Sequence, residues 1–224
     1  MADIVIFGIG KMADVAFACL RHKPQHRVVA FTVDKQFFTA KEKAGLPVVA
    51  FEDVATHYAP KQHALFVAMG YHDLNRIRAA RLAHAKALGY ASVSIIGHDE
   101  STVEADQIGQ NCLVLEGRSI QPGARIADDV WVFTGAHVGH HAQIRAHAWL
   151  ASGAVVGGAS VVGEGCFVGL NATVGHGVTI GDYSFLGAGT RVLSTAPAKS
   201  VFIERDTAKF RLDSDDFLKI TKLG

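Results

Sequence analysis

Five histidines crowd one part of the sequence: His137, His140, His141 and His147, with His176 further on. A neutral imidazole, with a reference pKa of about 6.5, can take the proton of an attacking amine or hydroxyl. Among them run glycines, notably Gly157-Gly158, whose backbone N–H groups could hold a negative oxygen as it develops on an acyl carbon. A base beside a fixed N–H donor is what acyl transfer requires. A second stretch, Gly8-Ile9-Gly10-Lys11-Met12-Ala13, is a Gly-x-Gly-x-x-Ala turn. Between a strand and a helix such a turn aims N–H groups at a pyrophosphate, and Asp34 lies where a carboxylate would accept hydrogen bonds from a ribose or base. A dinucleotide, a nucleotide sugar, or a tight turn with no ligand all fit these residues. Tyr71 and His72, at a later strand's carboxyl end, are ligand contacts or plain loop.

Both sets need elements to hold them. From Ile108 to Pro197 every sixth residue is aliphatic: Ile108, Val114, Ile120, Ile126, Val132, Val138, Ile144, Leu150, Val156, Val162, Val168, Val174, Ile180, Leu186 and Val192. Two before each next aliphatic stands a mostly small residue, such as Cys112, Ala124, Ala136, Ala148, Ser160, Cys166 or Ala172. Residues two apart on a strand share a face, so both point into one interior and each hexad is a short strand plus a corner. Fifteen hexads without an insertion make a hexapeptide parallel β-helix, whose stacked coils bury a column of aliphatics that no coil buries alone.

This repeat resembles the left-handed β-helix of hexapeptide acyltransferases, in which three hexads make one triangular coil. The resemblance implies the handedness, and it implies that residues eighteen apart stack in columns at about 4.8 Å per coil. One corner column then reads Gly117, Gly135, Gly153, Asn171, Gly189, as a turn of positive φ selects. Another reads Pro122, His140, Gly158, His176, Ser194, which sets the His140 imidazole next to the Gly158 N–H; otherwise His140 is a polar turn residue. An outward column, Leu113, Trp131, Trp149, Phe167, Phe185, is an apolar stripe expected at a subunit interface, or else beneath the C-terminal tail. His140 and His176, two coils apart, are expected roughly 10 Å from each other.

Ahead of the repeat, strands alternate with helices. Strands are expected at Ile4–Phe7, Arg27–Val33, Val48–Phe51, Leu65–Met69 and Tyr90–Ile96, and helices at 11–21, 52–58 and 74–88. This predicts a Rossmann-like α/β domain with a parallel sheet over 1–98, a polar linker over 99–107, the β-helix over 108–197 and a tail over 198–224. In the tail, Lys199–Ile203 reads as extended, and Asp213-Ser214-Asp215 could cap a helix running to Leu223.

The 224 residues carry a net charge of +1, which offers no case for nucleic acid or an anionic membrane surface. Cys19, Cys112 and Cys166 are too widely spaced for a disulfide framework or a cysteine zinc motif. No apolar run is long enough to span a bilayer. Met1-Ala2-Asp3 leads straight into a strand with no signal peptide, so the cytoplasm is the expected compartment.

Along nearly its whole length the chain is similar to the sugar acyltransferases of the sialic-acid O-acetyltransferase and bacillosamine N-acetyltransferase group. The likeness rests on the α/β domain followed by hexads, on His140 two residues after Val138, and on Cys166-Phe167-Val168-Gly169-Leu170-Asn171, a stretch the family carries near its CoA channel. It implies His140 as general base and Gly158, with Gly157 beside it, as the thioester contact. Leu170, Asn171, Ala188 and Gly189 would line a CoA groove, with acetyl-CoA as donor and no metal. Gly8, Gly10, Lys11, Met12, Asp34, Tyr71 and His72 would hold a nucleotide-linked sugar, for cell-surface glycan or lipopolysaccharide biosynthesis. Family members work as homotrimers with the acyl donor between neighbouring prisms.

Three departures stand out. The acidic residue that usually follows the base is His141 here. Where several relatives carry Asn near the acceptor this chain has Phe133, which with Trp149 makes the expected acceptor-side contacts. The usual Gly-x-Pro-Ala-Lys ending is replaced by Ile203-Glu204-Arg205-Asp206-Thr207. The expected activity is N-acylation of a nucleotide-linked amino-deoxy sugar; O-acetylation of a sugar hydroxyl would use the same base. A γ-carbonic-anhydrase-like zinc enzyme is the main rival, yet no two histidines are five apart, as its ligand pattern requires. A non-catalytic nucleotide-sugar binder is the other.

Overall fold

The computed structural model describes residues 2–97 and 107–221. Its first strand, β1 (Ala2–Phe7), carries Ile4, Val5, Ile6 and Phe7 all buried. Such a run belongs at the centre of a parallel sheet covered on both faces. β2 (His26–Val33) and β5 (His63–Val67) flank β1, and β4 (Leu46–Ala50) pairs with β2, all in parallel. β3 (Glu42–Lys43) closes one edge antiparallel, and β6 (Ala91–Ser92) closes the other in parallel. The helices are α1 (Lys11–Leu20), α2 (Val54–His57) and α3 (Arg76–Ala87).

The expected fifth strand over Tyr90–Ile96 splits. Only β6 stays in this sheet; β7 (Ile95–Ile96) pairs with Leu113–Val114, the first full rung of the repeat. Ile96 shares the six-residue phase of Ile108 and stacks on Val114, so the inward column starts one coil earlier than the hexads suggest. Except for Gln107, the expected linker lies outside the described residues.

Three parallel sheets form the sides of a triangular prism, a left-handed β-helix. Strand residues pair with those eighteen further on: Leu113 with Trp131 and Trp131 with Trp149, Ser119 with His137 and His137 with Val155, Arg125 with Gln143 and Gln143 with Val161. Aliphatics from Val114 to Val192 fill the axis with the small residues between them, each larger side chain contributing about 1.5–3 kcal/mol. Inward hydroxyls are satisfied at the corners, where Ser160 Oγ donates to Gly175 O at 2.6 Å and Ser184 Oγ to Gly181 O at 2.7 Å. Cys112 and Cys166 are buried beside them, their thiols pushed up by burial to about 12 and about 11, and serve as packing groups.

Each coil turns its corners through left-handed backbone. The predicted column Gly117, Gly135, Gly153, Asn171, Gly189 has φ between 53° and 76°. The other two corners do the same through Gly123, His141, Ala159 and Gly177, and through Asn111, Asp129, His147, Gly165 and Tyr183. Near the end the register slips: Ala196 bridges Ile180, and Val201–Phe202 pair with Phe185–Leu186, sixteen residues apart instead of eighteen. The last expected hexad is therefore two residues short, and Ala196 takes an aliphatic's place. Beyond it α4 (Ser214–Thr221) begins where Asp213 Oδ1 accepts the Asp216 N–H at 2.9 Å; Leu223, its expected end, lies outside the described residues.

The aromatic stripe is covered neither by another subunit nor by the tail: the chain's own α/β domain lies on it. Leu113, Trp131, Trp149 and Phe167 are buried in one cluster with Ala13, Leu20, Phe66 and Ile95. Phe66 stacks on Trp131 at 6.0 Å, Trp131 on Trp149 at 5.1 Å, and Phe167 on Phe185 at 4.9 Å. A polar lock borders this seam. Arg78 and Asp129 are both wholly buried, with Arg78 Nε donating to Asp129 Oδ1 at 2.9 Å. Arg78 Nη2 reaches the carbonyls of Asp129 and His147, and Nη1 the Asn75 Oδ1, each at 2.9 Å. Asp129 also accepts from Asn111 Nδ2 at 2.7 Å, and its Oδ2 lies 2.9 Å from His147 Nδ1. Burial lowers the Arg78 pKa, and Asp129 opposes that shift. Deleting one partner strands a buried charge, so Arg78→Ala is expected to lower unfolding stability by about 3–5 kcal/mol. Urea denaturation checks this, with exposed Arg211→Ala as a near-neutral control.

Candidate active site

The three faces define three edges, and the histidine edge joins the face of Ser119, His137 and Val155 to the face of Arg125, Gln143 and Val161. There His140 and Gly158 share one column, as the repeat predicts. A Cβ built on Gly158 would stand 2.6 Å from His140 Nε2, so the imidazole rises from its own coil and lies against the glycine above. The His140 N–H donates to Gln121 Oε1 at 2.9 Å, which fixes the corner from the coil below. Gly157 N donates to Val174 O, whereas among the described residues nothing accepts the Gly158 N–H. A directed ring nitrogen and an unpaired amide thus sit side by side on a solvent-exposed edge.

Two features of this edge were not foreseen. His140 and His176 have ring centroids only 5.9 Å apart, well inside the expected separation, because backbone spacing takes no account of side chains leaning across a glycine. His141 turns its ring back toward its neighbour, with Nδ1 3.2 Å from His140 Nδ1. The closer histidines do not make a zinc site: among the described residues no group of three or more His, Cys, Asp or Glu is placed to hold a metal ion.

Leu170, Asn171, Ala188 and Gly189 are exposed together on a different edge, between the aromatic face and the face of Thr173 and Arg191. In one chain they do not meet His140. The third group, Gly8, Gly10, Lys11, Met12, Asp34 and His72, lines one cleft of about 890 Å³ at the carboxyl ends of β1, β2 and β5. Gly10 precedes α1, whose first-turn N–H groups open toward this cleft. Asp34 is not a free acceptor: Arg81, which sequence reading missed, donates to its Oδ2 at 2.7 and 3.0 Å. Only the fold reveals that pairing, because α3 brings Arg81 over the β2 end.

Three expected substrate contacts lie elsewhere. Tyr71 packs on Phe167 at 4.5 Å and on Trp149 at 5.2 Å, between the cleft and the prism. Trp149 is buried beneath it, and Phe133 lies 4.7 Å from Trp149 in the same cluster. These rings build the seam, with Trp149 buried and Tyr71 half exposed above it.

Residues 159–194 match the bacterial transferase hexapeptide (six repeats) family. Perosamine N-acetyltransferase from Caulobacter crescentus, solved with CoA and GDP-perosamine, is 29% identical, with 90% of this chain and 93% of that chain covered at a TM-score of 0.78. The acetyltransferase domain of PglB from Neisseria gonorrhoeae FA1090 is 26% identical, with 90% and 96% covered and a TM-score of 0.78. Solved with acetyl coenzyme A, the same domain aligns at 25% identity and 0.75, covering 89% and 94%. No curated protein matches the chain at a significant level. With this fold, these matches mark the chain as an acyltransferase with hexapeptide repeats. Within that class the chain matches the sugar N-acetyltransferase group, as its sequence resemblance implied.

The two turn glycines answer to different constraints. Gly8 has φ +119° and a Cβ there would lie 2.6 Å from the Ala68 carbonyl oxygen, whereas a Cβ on Gly10 would meet nothing within 4 Å. Gly8→Ala is expected to lower stability by about 1–3 kcal/mol and Gly10→Ala by less than about 1 kcal/mol, read from denaturant midpoints.

Proposed function

We propose that the chain transfers an acetyl group from acetyl-CoA to the amino group of a nucleotide-linked deoxy sugar. The observation that carries this reading is the His140 imidazole lying against Gly158, whose N–H has no acceptor among the described residues. The relatives solved with acetyl coenzyme A, and with CoA and GDP-perosamine, support the substrate class. His140 Nε2 takes a proton from the sugar amine as its nitrogen attacks the thioester carbon. The Gly158 N–H stabilises the oxyanion. Collapse breaks the C–S bond, the proton passes to the thiolate, and amide and CoA thiol leave. The sugar's diphosphate sits at the α1 N-terminus near Gly8, Gly10 and Lys11, with His72 at the cleft mouth and the Asp34–Arg81 pair toward the nucleoside.

These groups complete one another only between copies of the chain. The α/β domain occupies the aromatic face, and the histidine edge is the edge opposite that face. A sugar in the cleft therefore reaches the His140 of a neighbouring protomer, and CoA runs between that edge and the edge of Leu170, Asn171, Ala188 and Gly189. A homotrimer, the closed ring in which each copy gives one edge and receives another, satisfies this arrangement. No helix among the described residues is long and apolar enough to cross a membrane, and we place the reaction in the cytoplasm, with its CoA donor.

Thiol release from acetyl-CoA, followed colorimetrically with GDP- and UDP-linked amino sugars, tests the chemistry. His140→Ala is expected to lower kcat by about 10² or more. Gly158 does not have a positive φ, so Gly158→Ala should fold normally yet lose most activity, its methyl displacing the imidazole. Wild-type turnover in both variants would contradict the assignment.

A further inference from the structure

We infer that His141 is a positioning residue: as a neutral imidazole it accepts the His140 Nδ1–H and so holds the reactive nitrogen, Nε2, toward Gly158. This deepens the reading of His140 as the base and rests on it. The two Nδ1 atoms are 3.2 Å apart, and one of them must carry the proton between them. If His141 donated, His140 would carry its hydrogen on Nε2, facing Gly158, and could take no proton there. With His140 donating, the Nε2 lone pair is free.

The backbone prepares this geometry. His141 occupies the left-handed corner at φ +58°, a conformation unfavourable for a residue with a Cβ. Its ring lies flat over Gly123, where a Cβ would be 2.9 Å from its Cδ2 and 3.0 Å from its Nε2. The His140 ring finds the matching space at Gly158. A glycine from the coil below and one from the coil above thus leave room for the two rings to meet edge to edge, at 5.4 Å and 78°. The residues facing the pair from below, Gln121, Pro122 and Gly123, are uncharged; from above it meets Gly158 and then His176. No carboxylate is within hydrogen-bonding reach of His140 among the described residues. The imidazole of His141 therefore does alone what an acidic neighbour would do with a full negative charge.

That difference has a signature. A carboxylate stabilises the protonated base and raises its pKa, whereas a neutral acceptor orients the ring without that charge. In the full-length protein with acetyl-CoA and an accepted nucleotide amino sugar, His141→Ala should lower kcat about tenfold or more, with both KM values within about twofold. His141→Asp should keep kcat at pH 8 within a few-fold and move the acid limb of the kcat profile to higher pH by about one unit. Nitrogen-15 NMR of the wild-type histidines should show His140 as the Nδ1–H tautomer and His141 as the Nε2–H tautomer, a measurement that needs no folded variant. An unchanged kcat in His141→Ala, an unmoved limb in His141→Asp, or an Nε2–H tautomer at His140 would each overturn the inference. His140→Ala in the same series separates the two layers: if it alone is inactive, His140 stands as base and only the role of His141 falls.

Discussion

An arginine enclosed within a protein keeps its charge only if every face of it meets an acceptor or an electron-rich ring. Arg78 meets both: the Asp129 carboxylate, two main-chain carbonyls and the Asn75 amide oxygen around its rim, and Trp131 with its ring centroid 5.0 Å from the guanidinium carbon. Such a pair adds little net stability over an apolar packing of equal size, but it permits almost no alternative geometry. It therefore fixes how the α/β domain sits on the prism, while the aromatic stripe supplies the buried area. Everything functional follows from that placement, because it decides which of the three faces is used up and which edges stay open.

The corners carry the second constraint. A coil of three short strands turns only where the backbone can pass through positive φ, and the sequence meets that need mostly with Gly, Asn and Asp, and elsewhere with His141, His147, Ala159 and Tyr183. The glycines that face these corners from adjacent coils admit side chains that lean along the prism. Gly158 above His140 and Gly123 beneath His141 are two cases of one device. The same stacking that buries the core thus builds the proposed reactive surface out of residues eighteen apart.

Much of this was legible in the chain. The hexads gave the prism, the column of His140 and Gly158 held, and the glycine turn with Asp34 marked the cleft. What escaped was whatever depends on partners distant in sequence or on side-chain reach. Periodicity says that Trp131 and Trp149 are buried; it does not say that Phe66 and Tyr71 bury them. Arg78 and Asp129 are 51 residues apart in unrelated patterns, and Arg81 reads as one more helix cation until α3 is laid over Asp34. The approach of His140 to His176 was misjudged because coil spacing measures backbones. The two-residue slip before Ala196 was hidden because alanine fits either an inward corner or a short rung.

The central claim is that the cleft and the histidine edge, held apart by the seam, are completed by a second protomer. Mixing settles it most directly. Chains with His140→Ala and chains with Lys11→Glu, which puts a negative charge where the diphosphate belongs, should each be inactive alone. Co-expressed in equal amounts and purified as one assembly, they should regain about a quarter of wild-type turnover, since random assembly pairs an intact edge with an intact cleft that often. Turnover no higher than that of the separate parents would mean that each chain uses its own histidine, and the account would be wrong.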